Sequence, residues 1–254
     1  MKNKKTLLVL LATMFFGVAC TSTQVGHHAP HWSYEGHTSA EHWADLESDY
    51  KECKLGKNQS PIDIYTGATD KSNLPPIKSA YKASAGELVN NGHTIQVDLA
   101  DAGGAALSNG EYKIAQFHFH TPSEEKVNGL SYPLVAHMVH KNAAGNLAVV
   151  AVLFKEGKEN AALKDIFSRL PAKEGKVALS SSFDPSKLLP SNLSYFAFTG
   201  SLTTPPCSEG VSWHVLQNPV EMSAAQLNAF KSIYKMNARP VQPLNGRKIY
   251  NVAQ

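Results

Sequence analysis

In residues 116–120, QFHFH, polar and aromatic side chains alternate without a break. Successive strand residues point to opposite faces. An extended chain therefore puts Gln116, His118 and His120 on one side, and Phe117 and Phe119, with Ala115, on the other. A helix would scatter both sets around its circumference. The aromatic side reads as core. The histidine side meets either solvent or a metal ion.

Much of the chain has the same character. HTIQVDL (93–99), YKIAQFHFH (112–120), YPLVAHMVH (132–140), LAVVAVLF (147–154), YFAFTG (195–200) and VSWHVL (211–216) are short, rich in Val, Phe and Tyr, and bounded by Gly, Asn or Pro. Two helices are expected. ENAALKDIFSRL (159–170) carries Leu163, Ile166, Phe167 and Leu170 at helical spacing, and SAAQLNAFKSIYK (223–235) opens with Ser223 and Gln226 at capping-box spacing. No Pro/Gly/Ser linker divides the chain after Trp32, so residues 31–254 are read as a single domain. The expected fold is mainly β (α+β): a large twisted, mostly antiparallel central sheet with short peripheral helices.

Residues 1–20 stand apart. MKNKK precedes the apolar run TLLVLLATMFFGVA, the pattern of a signal peptide. The run is too short for a spanning helix, which needs about 20 apolar residues. Residues 21–30, with His27 and His28, read as a flexible lead-in, and His31 as its continuation. Cys20 follows Gly17-Val18-Ala19 and leaves two readings open, a lipid anchor or a plain cut beside an incidental cysteine. The expected location is periplasmic. The 24 Lys+Arg exceed the 21 Asp+Glu only through the leader's Lys2, Lys4 and Lys5, so charge gives no footing for nucleic-acid binding. Cys53 and Cys207 remain. In an oxidising compartment two cysteines point to one disulfide, with two buried thiols as the alternative.

HxH on a strand marks a metal site only weakly. Residues two apart on a strand are about 6.6 Å apart at the backbone, and their imidazoles can tilt onto one ion at about 2.0–2.1 Å. His137 strengthens the reading. It shares a face with Pro133, Val135 and Val139 in the next strand, which the segment 121–132 joins to the first as an antiparallel neighbour. Three neutral imidazoles leave one tetrahedral position for water, as in catalytic zinc sites, whereas closed structural sites use four protein ligands.

Together with GKNQSPIDI, NNGH, PSEE, AHMVH, GSLTTPPCSEGVSW and ARPVQPLN, these segments cover Trp32 to about Asn245, and over that span the chain resembles an alpha-class carbonic anhydrase of the bacterial exported type. The resemblance implies one Zn2+ per chain on His118, His120 and His137, with Gln116 as the partner of His118. It implies reversible hydration of carbon dioxide to bicarbonate and a proton, with inhibition by sulfonamides and anions. Thr203 would accept from zinc-bound hydroxide and donate to Glu124. His93 would shuttle protons along a path including Tyr34, Asn91 and Gln96. Val139, Val149, Leu202, Thr203, Thr204, Val211 and Trp213 would form the substrate pocket. A Cys53–Cys207 disulfide and cis bonds before Pro61 and Pro206 are implied, and a homodimer is left open. The alternative is a non-catalytic carbonic-anhydrase-like binding module, a type that usually loses zinc ligands. His37, His42, His140 and His214 read as structural.

Two positions depart from the family pattern. Ser33 stands where Gly is usual. Val135 stands where many members carry Glu, which leaves the second ring nitrogen of His137 to a backbone carbonyl, a water or nothing. On that reading Val135→Glu would slow zinc loss to a chelator.

Overall fold

A computed structural model of the chain describes residues 31–254. The leader, Cys20 and the lead-in lie outside the described residues. Seven strands position the site: β1 (Gly86–Asn90), β2 (Ile95–Leu99), β3 (Gly110–His120), β4 (Leu134–Lys141), β5 (Leu147–Glu156), β6 (Tyr195–Ser201) and β7 (Glu209–Leu216). They lie side by side as β1-β2-β3-β4-β5-β7-β6 within a 13-stranded sheet. Their pairings are antiparallel except for β5 with β7. Further parallel joins occur elsewhere in the sheet, which is therefore mixed with antiparallel pairs predominating.

All six sequence-expected strands are present. Lys78–Tyr81, Gly103–Leu107, Gly175–Ala178 and β1 were not signalled. Each carries at most one β-branched or aromatic residue among mostly Gly, Ala and polar ones, too little of the composition that marks a strand.

The central strands bury both faces. On one, Phe117, Phe119, Ala136, Met138, Val150 and Val152 join the larger apolar core. On the other, Val135, Val149, Ala151, Val211 and Trp213 form a second apolar cluster. The expected parity of β3 breaks at Ala115, which is exposed, while Ile114 and Tyr112 join Phe117 and Phe119 in the larger core. The pairing with β4 steps from Val139 opposite Gln116 to His140 opposite Ile114, so Ala115 is the extra residue of a bulge.

The helices are shorter than their apolar windows. α1 (Ala161–Phe167) buries Leu163, Ile166 and Phe167, and the Asn160 side chain accepts from the Ala162 and Leu163 amides. α2 (Ala224–Lys231) has the expected capping box between Ser223 and Gln226. Cys53 and Cys207 are joined by a disulfide. Cis peptide bonds precede Pro61 and Pro206, and also Pro122.

Candidate metal centre

The register of β3 and β4 sets His137 directly opposite His118, and Val135 opposite His120. The three imidazole centroids are 5.0, 5.5 and 4.8 Å apart, and their candidate ligand atoms all lie within 4.8 Å of one another. His120 and His137 are buried and His118 partly so.

Each ring has one nitrogen engaged. His118 Nδ1–H donates to Gln116 Oε1 at 2.9 Å, and His120 Nδ1–H donates to the Asn237 carbonyl at 2.7 Å. His137 uses its other nitrogen, Nε2–H donating to Glu125 Oε2 at 3.1 Å. These bonds fix the tautomers and leave His118 Nε2, His120 Nε2 and His137 Nδ1 as the free lone pairs.

His120 Nε2 is buried with no hydrogen-bond partner at all. An unpaired polar atom in the interior costs roughly 1–3 kcal/mol, so its neighbourhood must compensate. A cation shared with the other two rings would do so, and the donor set fits one. Burial, with the neighbouring His137, holds His118 at about 3, and burial with His137 and His118 holds His120 well below its ordinary value. Both rings are thus neutral, the form that ligates. Burial also pulls His137 down, but the carboxylates of Glu125 and Glu124 outweigh it and raise it overall.

The expectation for His137 needs correction. Its second nitrogen is bonded neither to a backbone carbonyl nor left bare; Glu125 takes it. Val135 is fully buried in the second apolar cluster. With the bond already made, Val135→Glu alone is not expected to slow zinc loss.

Glu124 is also buried. Its Oε1 accepts from the Arg239 amide at 2.8 Å, and Oε2 has no partner. Burial pushes its carboxyl up to about 7, opposed chiefly by His137. The Thr203 hydroxyl also holds it down, but no hydrogen bond of ordinary geometry joins the two. Arg239 donates to the Cys53 and Ser60 carbonyls and to Gln59 Oε1, and lies over the Trp43 ring at 5.6 Å. It thereby ties the disulfide region to the floor of the site.

Val149, Val211 and Trp213 are buried together, with Val139 and Leu202 packed against them. Val149 pairs with both Val139 and Trp213, and the Trp213 ring lies 4.9 Å from that of His137. Thr203 and Thr204 sit on the loop braced by Cys207, whose amide donates to the Thr204 carbonyl at 2.8 Å.

His93 is stacked face to face on Trp32, with centroids 3.5 Å apart, and against His31 at 4.6 Å. Burial, then His31, lowers it to about 4. Asn91 is exposed, and its Oδ1 caps the turn by accepting from the His93 and Thr94 amides. Gln96 sits opposite His118 on β2 and donates to Asp98 at 2.6 Å. The Tyr34 hydroxyl is buried without a partner. His140 and His214 are buried and hydrogen-bonded to Tyr81 and Ser108, as structural residues would be, whereas His37 and His42 are exposed.

The donor set is a three-histidine cluster that could hold one metal ion, set on a large mixed sheet. A family model described as Eukaryotic-type carbonic anhydrase matches residues 38–253. A carbonic anhydrase from Neisseria gonorrhoeae is 44% identical over 249 residues, covering 96% of this chain and 97% of the relative. One from Pectobacterium carotovorum is 40% identical over 251 residues, covering 98% and 99%. The solved alpha-carbonic anhydrase of Thermovibrio ammonificans, in complex with the inhibitor sulfanilamide, superposes with a TM-score of 0.85 at 48% identity, covering 87% of this chain and 98% of that one. The chain belongs to the eukaryotic-type, or alpha, carbonic anhydrase family.

Proposed function

We propose that this chain is an exported zinc enzyme that catalyses the reversible hydration of carbon dioxide to bicarbonate and a proton. The observation that carries the reading is the buried, unpartnered Nε2 of His120 beside two other neutral-capable imidazoles. Zinc, when bound, supplies a nucleophilic oxygen at neutral pH by lowering the pKa of its water to about 7, a value established for this family and not obtained from this chain.

The chain's own residues do the rest. Gln116, the Asn237 carbonyl and Glu125 aim the three rings. Glu124, anchored by the Arg239 amide, keeps an oxygen for the Thr203 hydroxyl, whose remaining lone pair then orients the attacking group. Val139, Val149, Leu202, Val211 and Trp213 give a non-polar substrate a dry wall, and Thr203 and Thr204 complete the proposed pocket. His93 exports the proton past Tyr34, Asn91 and Gln96. In the stack on Trp32, burial and then the neighbouring His31 lower its pKa to about 4 from an ordinary value of 6.5. The leader and the disulfide support a periplasmic location. Among the described residues no helix is long and apolar enough to cross a membrane.

The test is carbon dioxide hydration by the purified protein: as isolated, stripped by a chelator, resupplied with zinc, and with an aromatic sulfonamide. Activity should vanish on stripping, return with one equivalent of zinc and be blocked by the sulfonamide. Activity that survives complete stripping, or is absent at full zinc loading, contradicts the proposal.

A further inference from the structure

We propose that Glu125 is a positioning residue that supplies His137, from the β3–β4 connection, with the acceptor its own strand does not provide; the proposal rests on the zinc reading above. On β3 the partner of His118 is Gln116, two residues earlier on the same face. The matching place before His137 on β4 is Val135, whose methyls accept nothing and pack in the second apolar cluster. The bond is made instead across twelve residues of chain, His137 Nε2–H donating to Glu125 Oε2 at 3.1 Å with both side chains buried.

The connection is built to hold that carboxylate still. The Glu125 carbonyl accepts from Ser123 Oγ at 2.7 Å, and Ser123 Oγ accepts from the Tyr132 amide at 2.8 Å. On the other side the Lys126 amide donates to the Ile62 carbonyl, where Asp63–Ile64 pairs in parallel with Lys126–Val127. Packing alone does not explain a buried acid here. Its second oxygen, Oε1, is unpartnered, and burying a carboxylate with one hydrogen bond is costly. The bond to His137 is what the placement achieves. It makes Nε2 the protonated nitrogen and presents Nδ1 to the centre, opposite to the choice at His118 and His120. It is also the only anionic partner of the three, the others being an amide and a backbone carbonyl. An anionic partner raises the donor strength of the ring it holds.

The experiment measures zinc release to a chelator, with the pH profile of hydration beside it, for wild type, Glu125→Gln, and the exchange Glu125→Val with Val135→Glu. Glu125→Gln keeps the shape and loses the charge. It should release zinc about 10–100-fold faster, and the pH midpoint of its activity should move down. The exchange variant, with its acceptor back on the strand, should recover most of that loss. Zinc release from folded Glu125→Gln at the wild-type rate overturns the proposal, whatever the exchange variant does. If the exchange variant folds and releases zinc as fast as Glu125→Gln, relocation of the acceptor is refuted. If wild type itself takes up no zinc, the metal reading fails and this proposal with it, which separates the two failures.

Discussion

Phe117 and Phe119 point to one side of β3, His118 and His120 to the other, and both sides are covered by other elements. The aromatic side is closed by α1 and α2. Phe119 meets Phe117, Phe167 and Phe230 at 5.7, 5.2 and 6.1 Å in edge-on contacts. These four rings carry no polar atom that needs a partner, and each fully buried Phe contributes about 1.5–3 kcal/mol. The histidine side buries nitrogens and carboxylates, and leaves His120 Nε2, Glu124 Oε2 and Glu125 Oε1 unpartnered. One backbone thus carries a face that stabilises the fold and a face whose unpartnered polar atoms mark the candidate metal site. Rules broken locally without compensation inside the chain point to a site.

The contrast can be broken from either side. His120→Ala should have the largest effect: zinc content falling from one per chain towards none, with hydration lost, while the stripped protein stays folded. Retention of stoichiometric zinc would show that the face does not act through this ring. Phe119→Ala should do the reverse, costing about 3–5 kcal/mol in urea unfolding with zinc per folded chain unchanged. A variant that loses zinc in proportion to stability would deny the division of labour.

A smaller effect sharpens the comparison at low pH. Burial lowers His140 and His214 to about 4 from an ordinary value of 6.5. The unfolded chain then binds more protons as pH falls, so the stability they contribute is complete above about 6.5 and declines towards 4. Each should cost about 2 kcal/mol at pH 5. Urea unfolding of stripped protein at pH 7 and pH 5 reads this, and His214→Asn should lose less between the two than wild type does. The smallest effect is away from both faces. Ser223→Ala removes the α2 cap and should cost about 1 kcal/mol without touching zinc.

What could be read in advance follows the same division. Period-two alternation announces the strands that bury a face, and parity alone puts His118, His120 and His137 together, because strand neighbours keep their register. It fails at Ala115, since a bulge has no signature in alternating residues. The partners of the rings were harder. Gln116 is two residues from His118, but His120 is bonded by the carbonyl of Asn237, 117 residues away, and a backbone atom carries no residue type to notice. Glu125 stands beside Glu124 in PSEE, yet nothing local says which acid turns towards His137. Arg239 lies in ARPVQPLN, where order was legible and role was not. The stack of His93 on Trp32 depends on an equally distant approach.

X-ray absorption at the zinc edge of the reconstituted protein tests the central claim most directly. The account predicts three imidazole nitrogens at about 2.0–2.1 Å and one further light-atom ligand. A thiolate at about 2.3 Å, a fourth imidazole, or zinc that does not bind at one per chain would contradict it.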